Sequence, residues 1–146
     1  MDKHVLPNEV MLGEVARLLA AGRDVIMTPK GISMLPFIRG DIDSVLLRKR
    51  EQIEVGDIVL AHFGGTYILH RVIATDQATV TLMGDGNLQG TEKGKRSDVL
   101  GTVVEIIGPD GKHRSPGKGR LWYKLLPVRK YLLKIRRKWN KIFKRN

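Results

Sequence analysis

Short apolar runs separated by turn residues fill the middle of the chain, and this pattern most constrains the fold. The runs are rich in Val, Ile and Leu, whereas Gly, Asp, Asn and Pro lie between them. They cover residues 44–47, 57–62, 67–73, 79–83 and 99–107. Several short strands at this spacing predict a mainly β fold, a small, strongly bent sheet or partial barrel.

A helix and a short strand are predicted ahead of these runs. Residues 7–21 form the helix, with Asn8 as its N-cap and Gly22 as its C-terminal stop. Its apolar side chains along one side are those of Val10, Leu12, Val15, Leu18 and Leu19. Residues 24–27 read as a short strand, and the polar stretch 89–96 predicts a loop.

The positive charge is concentrated at the end of the chain. Residues 112–146 hold 8 Lys, 6 Arg and no acidic residue, whereas residues 1–111 hold 12 basic and 15 acidic residues. Apolar residues recur every three or four positions in this basic segment, at Leu121, Leu125, Val128, Leu132, Ile135, Trp139 and Ile142. We therefore predict a basic amphipathic C-terminal helix over residues 121–146.

Two interpretations of that helix remain open. Its apolar stripe either packs on the domain or on another chain, or it lies on an anionic membrane surface, which its Trp, Tyr, Lys and Arg residues suit. The same charges suit nucleic acid phosphates. Nucleic acid is the less favoured partner, because the sequence has no helix-turn-helix, zinc-finger or RNA-recognition signature.

Composition narrows the chemistry. The chain has 146 residues, which predicts one domain with three segments, residues 1–27, 28–111 and 112–146. It has no Cys, so disulfides, thiolate metal sites and a Cys nucleophile are excluded. The four His residues lack metal-ligand spacing, so we expect no metal or other cofactor.

No apolar stretch approaches the roughly 18–20 residues of a membrane span. We expect a cytoplasmic protein, peripheral at the membrane if the basic helix binds lipid.

A serine next to a proline bend is the first candidate for catalysis. Ser33 lies in Gly31-Ile32-Ser33-Met34-Leu35-Pro36, and Arg39-Gly40-Asp41 follows. A nucleophilic Ser needs a fixed orientation, a base and nearby oxyanion donors. Taken alone, such a segment is more often a structural turn.

His70 is the candidate base, because histidine changes charge near neutral pH. It lies in the apolar run 67–73, directly before Arg71. Neighbours on a strand point to opposite faces, so we expect one of the two side chains to face inward and the other to meet solvent or a partner. A structural, hydrogen-bonded histidine is the alternative interpretation.

Taken together and in this order, these segments resemble the signal peptidase I and LexA-like serine peptidase clan, from about residue 28 to about residue 107. The matching pieces are Gly31–Pro36, Arg39-Gly40-Asp41, Val55-Gly56-Asp57-Ile58-Val59, Leu69-His70-Arg71-Val72-Ile73, Gly84-Asp85-Gly86-Asn87 and Asp98-Val99-Leu100-Gly101. His70 stands where most bacterial members and the LexA group carry Lys. The chain is thus most similar to the Ser–His signal peptidases of archaea and the endoplasmic reticulum.

The resemblance implies roles for individual residues. Ser33 is the nucleophile, His70 the general base, and Asp85 the first candidate to support His70. The substrate-binding or oxyanion positions are Gly31, Ile32, Met34 and Pro36, together with the backbone N–H of Ser33. His-type members carry a further Asp a few residues after the Gly-Asp box, whereas Leu88-Gln89-Gly90-Thr91-Glu92 contains no Asp. The family's N-terminal membrane anchor is replaced by the predicted helix.

The resemblance predicts a serine endopeptidase that cleaves a precursor or leader peptide. Its substrate is expected to add as an extended strand, with small side chains next to the cut. The alternative is a non-catalytic β domain that binds peptide, or that binds an anionic membrane or nucleic acid through its basic tail.

Overall fold

The computed structural model describes residues 4–5, 9–30, 34, 37–84 and 90–119. This part of the chain is mainly antiparallel β-sheet with one N-terminal helix, as the pattern of short apolar runs predicts. The predicted C-terminal helix lies outside the described residues. No helix within the described ranges is long and apolar enough to cross a bilayer.

Nine strands and one α-helix make up the described fold. The strands are β1 (His4–Val5), β2 (Val25–Thr28), β3 (Ser44–Arg48), β4 (Ile58–Phe63), β5 (Thr66–Thr75), β6 (Thr79–Met83), β7 (Glu92–Lys95), β8 (Val99–Ile107) and β9 (His113–Arg114). The helix α1 spans Glu9–Ala20, and a short 3-10 helix spans Arg96–Asp98.

The strands form one sheet that curls without closing. Its order is β1-β2-β3-β8-β4-β5-β6-β7, and β9 pairs with β8 beside this path. All pairings are antiparallel except that of β1 with β2. The ring of Phe63 in β4 lies against the backbone of Gly94 in β7, although two strands separate them in the sheet order. This contact shows how strongly the sheet bends.

The helix α1 ends as the sequence predicts. Gly22 has a φ of 82°, the left-handed conformation that glycine adopts easily. Its N–H donates to the carbonyl of Leu19 at 3.0 Å, and the N–H of Arg23 donates to Leu18 at 3.0 Å, which is the Schellman arrangement. Asn8, the predicted N-cap, lies outside the described residues.

The apolar side of α1 was predicted correctly except at its start. Val15 and Leu19 are buried, and Leu12 and Leu18 pack against the same core. Val10 is 82% exposed, so its assignment to this side was wrong. Met11 takes the inward position one residue later, because the core-facing stripe runs through positions 11, 12, 15, 18 and 19.

Apolar side chains cover both faces of the curled sheet. One core, below α1, includes Leu19, Leu47 and Leu60, and the other includes Val59, Val72 and Leu82. Along β5, Leu69 packs on the first core and Ile68 on the second, as the alternation of a strand requires. Strand β5 therefore presents its side chains to two different environments.

The sequence pattern predicts a loop over residues 89–96, but part of this polar stretch forms a strand. Glu92–Lys95 form strand β7, which pairs with β6 from Thr79↔Lys95 to Leu82↔Glu92. Its residues alternate between exposed and half-buried, and none carries a large apolar side chain. The pairing with β6 and the packing of Phe63 on Gly94 stabilise a strand that its own composition does not favour.

Candidate functional site

The predicted nucleophile segment connects β2 to β3. Gly31, Ile32, Ser33, Leu35 and Pro36 lie outside the described residues, so their predicted roles stay predictions. Met34, the residue after Ser33, is buried, and its carbonyl accepts the N–H groups of Phe37 and Ile38 at 3.0 Å each. At the other end, the carbonyl of Pro29 accepts the N–H of Asp41 at 2.8 Å. Both flanks of the segment are thus held by backbone hydrogen bonds.

The turn that follows this segment is fixed by a buried carboxylate. Asp43 is fully buried and accepts the backbone N–H of Arg39 at 2.8 Å and its guanidinium at 2.9 and 3.1 Å. Arg114 of β9 contacts the same carboxylate at 3.3 Å. Burial raises the pKa of Asp43, but the hydrogen bonds from Arg39 outweigh it, so this pKa lies below its ordinary value.

His70 lies in the wall of a cavity of about 390 Å³ between α1, β2, β4 and β5. Its side chain is only 12% exposed. Lys30 and Met34, the described residues on either side of the segment 31–33, line the same cavity. The rest of the lining is largely apolar, with Leu12, Met27, Ile38, Leu60, Tyr67 and Leu69 among it. The structure therefore brings the candidate base and the immediate neighbour of Ser33 to one cavity.

The Nδ1 atom of His70 hydrogen-bonds the Oε1 atom of Glu92, the first residue of β7. The two residues lie 22 positions apart in the chain. Register explains their meeting, because Val72 pairs with Leu82 and Leu82 pairs with Glu92. His70 is on the same face of β5 as Val72, two residues away, so its ring and the Glu92 carboxylate lie over the same face.

Asp85, the sequence-predicted support for His70, lies outside the described residues, and so do the other residues from 86 to 89. Sequence reasoning missed Glu92, because the resemblance implies an Asp, and not a Glu, close to the Gly-Asp box. The available signal was the pairing of β6 with β7, which a polar strand of four residues does not reveal.

Arg71 is the inward-facing member of the His70-Arg71 pair. It is fully buried, and it donates to the carbonyls of Gly56 at 2.7 Å and Gly117 at 2.9 Å. A Cβ on Gly119 would lie 2.7 Å from its Nε, so residues 117–119 pass close over the guanidinium. His70, the other member of the pair, is only 12% exposed, and its ring hydrogen-bonds Glu92.

The remaining described histidines have simpler surroundings. His62 is exposed on β4 and stacks on Tyr67, with ring centres 4.1 Å apart. His113 of β9 hydrogen-bonds Glu105 of β8 through Nδ1, and both side chains are about half exposed. Over the ranges that the structure describes, no group of three or more His, Asp or Glu side chains is placed to hold a metal ion.

Comparison of the chain with protein-family models gives no match, and comparison with curated proteins gives none either.

Proposed function

We propose that this protein is a serine endopeptidase of the LexA and signal peptidase type, with Ser33 as nucleophile and His70 as general base. One observation carries the proposal. His70 and Met34, which directly follows Ser33 in the chain, line the same largely apolar cavity, and His70 holds a carboxylate on Nδ1. A structural histidine needs no such cavity, whereas a base that activates a serine needs room for a substrate carbonyl beside it.

The proposed chemistry is acyl transfer. The Oγ atom of Ser33 attacks the carbonyl carbon of the substrate peptide bond while Nε2 of His70 takes the hydroxyl proton. The tetrahedral intermediate collapses, the C–N bond breaks, and His70 returns that proton to the leaving amine. Water then attacks the acyl-enzyme with His70 again as base, which releases the new carboxyl end and regenerates Ser33. The backbone N–H of Ser33 is the proposed oxyanion donor, with Gly31, Ile32, Met34 and Pro36 shaping the site.

The substrate is a precursor or leader peptide bound in an extended conformation. The resemblance predicts small side chains next to the cut. The cavity of about 390 Å³ exceeds what an alanine side chain fills, and Met27, Leu60 and Leu69 give it an apolar wall. We therefore propose that the position next to the cut also accepts an aliphatic side chain and disfavours a charged one.

The basic segment 121–146 lies outside the described residues, and its proposed partner is an anionic membrane surface. A chain ending at Gly119 is expected to lose binding to anionic liposomes in a sedimentation assay. Equal sedimentation of the shortened and full chains would remove this role from the tail.

The decisive experiment compares new peptide N-termini, by mass spectrometry, in cells that carry either the wild type or Ser33→Ala. We expect termini that disappear with Ser33→Ala and with His70→Ala, because loss of either member of the pair lowers such activity by about 10³-fold or more. Two matched controls are Ser97→Ala and His113→Ala, which change exposed residues of the same types and should retain cleavage.

Termini that are the same for the wild type and Ser33→Ala at equal protein level would contradict the proposal. A purified wild type that binds a peptide library without cutting it would instead support the alternative, a non-catalytic β domain.

A further inference from the structure

The chemistry of the two side chains determines which of them donates in the hydrogen bond between His70 and Glu92. An ionised carboxylate only accepts hydrogen bonds, so a neutral His70 that bonds Oε1 of Glu92 through Nδ1 carries its proton on Nδ1. Its Nε2 then has a lone pair and is the atom able to accept a proton. This is the tautomer that a general base acting through Nε2 requires.

Burial gives this contact more weight than an ordinary surface pair. The His70 and Glu92 side chains are 12% and 28% exposed. Because water competes less for partly buried groups, the carboxylate holds the ring orientation and tautomer more firmly than it would in solvent.

We infer that Glu92 is the positioning residue for His70, in the role that the family resemblance implies for Asp85. The inference rests on the proposed function and adds a residue that neither the Gly-Asp box nor the stretch after it identified. Glu92 acts through His70 by fixing the Nδ1–H tautomer and by stabilising the imidazolium formed when Ser33 gives up its proton.

The chain contains a matched pair for comparison. His113 also bonds a glutamate, Glu105, through Nδ1, but these side chains are 50% and 43% exposed and lie on β9 and β8. Glu105→Gln therefore makes the same chemical change as Glu92→Gln at a more exposed site. The Gln side chain has nearly the size of Glu, so neither variant leaves a cavity.

The first test reads the tautomer directly, without any substrate. Nitrogen-15 NMR of the full chain at a pH where imidazole is neutral should show His70 as the Nδ1–H form. In Glu92→Gln that population should fall, in Glu92→Asp it should be largely retained, and in Glu105→Gln the His70 signals should not move. An unchanged His70 tautomer in Glu92→Gln would overturn the inference.

The second test reads turnover. Glu92→Gln should lower kcat by about 10²- to 10⁴-fold with little change in KM, and Glu92→Asp should recover part of that loss. If Ser33→Ala abolishes cleavage while Glu92→Gln keeps the wild-type kcat, the inference fails and the proposed function stands. Loss of kcat in Asp85→Asn but not in Glu92→Gln would return the role to Asp85. If Ser33→Ala cleaves like the wild type, the proposed function itself fails.

Discussion

The guanidinium carbon of Arg71 lies 4.9 Å from the centre of the Phe37 ring, so a buried cation on β5 stacks on the segment that follows Met34. The same guanidinium donates to the carbonyls of Gly56 and Gly117. One side chain thus joins the strand that bears His70 to the chain on both sides of it.

Arg71→Lys should therefore destabilise the fold although it keeps the charge. A lysine ammonium cannot reproduce the planar fork or its stacking, so buried carbonyls lose donors, at a cost of about 2–4 kcal/mol. Urea unfolding followed by circular dichroism measures this cost. The control is Arg48→Lys, since Arg48 meets Asp24 at the surface and should change stability by less than about 1 kcal/mol. Equal losses in the two variants would contradict the special position of Arg71.

The buried carboxylate of Asp43 should make the stability of the fold sensitive to acid. Its folded pKa lies below the unfolded value of about 3.9, so its stabilisation is fully present above that pH and is lost as pH falls through the folded pKa. Asp43→Asn should cost about 2–3 kcal/mol at neutral pH, since Arg39 and Arg114 are partly exposed and tolerate the lost charge in part. Denaturant unfolding at several pH values from 7 to 3 should show the gap between variant and wild type narrowing below about pH 4. A difference in the free energy of unfolding that stays the same at every pH would show that the charge of Asp43 does not contribute to stability.

We expect substitution of glycine by alanine to have opposite effects on stability at two positions. A Cβ on Gly94 of β7 meets three ring carbons of Phe63 within 2.7 Å, so Gly94→Ala must displace β7 or the ring and should cost about 1–3 kcal/mol. Gly13, inside α1, has room, with the Tyr67 hydroxyl 3.7 Å away, so Gly13→Ala should stabilise by about 0.5–1 kcal/mol. Thermal unfolding of both variants checks the two signs. A stabilising Gly94→Ala would show that β4 and β7 are packed less tightly than the contact of Phe63 with Gly94 indicates.

The regular strands were the part of the fold that the sequence could predict. The bounds of β6 and β8 agree with the apolar runs 79–83 and 99–107, because buried Val and Leu alternate or cluster there. β7 was missed, since Glu92–Lys95 contain no apolar side chain and pair only because β6 and Phe63 are already in place. A local hydrophobic pattern indicates which residues are buried. Strand β7 has no such pattern and forms because its neighbours are in place.

The candidate site likewise contains one residue that the sequence pattern identifies and one that it does not. His70 could be found from a polar pair inside an apolar run, which is a local signal. Glu92 could not, because its meeting with His70 depends on two successive strand registers, from β5 to β6 and from β6 to β7. Those registers depend in turn on an irregularity between Val72 and Ala74 that the sequence does not mark.

The cavity beside His70 predicts how substrate choice should change. Leu69 lines it and directly precedes His70, so Leu69→Trp should narrow the space nearest the proposed cut. Because one or two methylene groups in such a pocket are worth about 1–3 kcal/mol, the kcat/KM for a peptide with Leu next to the cut should fall about 10- to 100-fold relative to the same peptide with Ala. Ile73→Trp is the matched control, since Ile73 is a half-buried residue of β5 that is not part of the cavity wall described above. A Leu-to-Ala preference that stays constant in Leu69→Trp, or that changes equally in Ile73→Trp, would mean that this cavity does not hold the substrate side chain. Such a result would leave the chemistry of Ser33 and His70 intact and would place the specificity pocket elsewhere on the sheet.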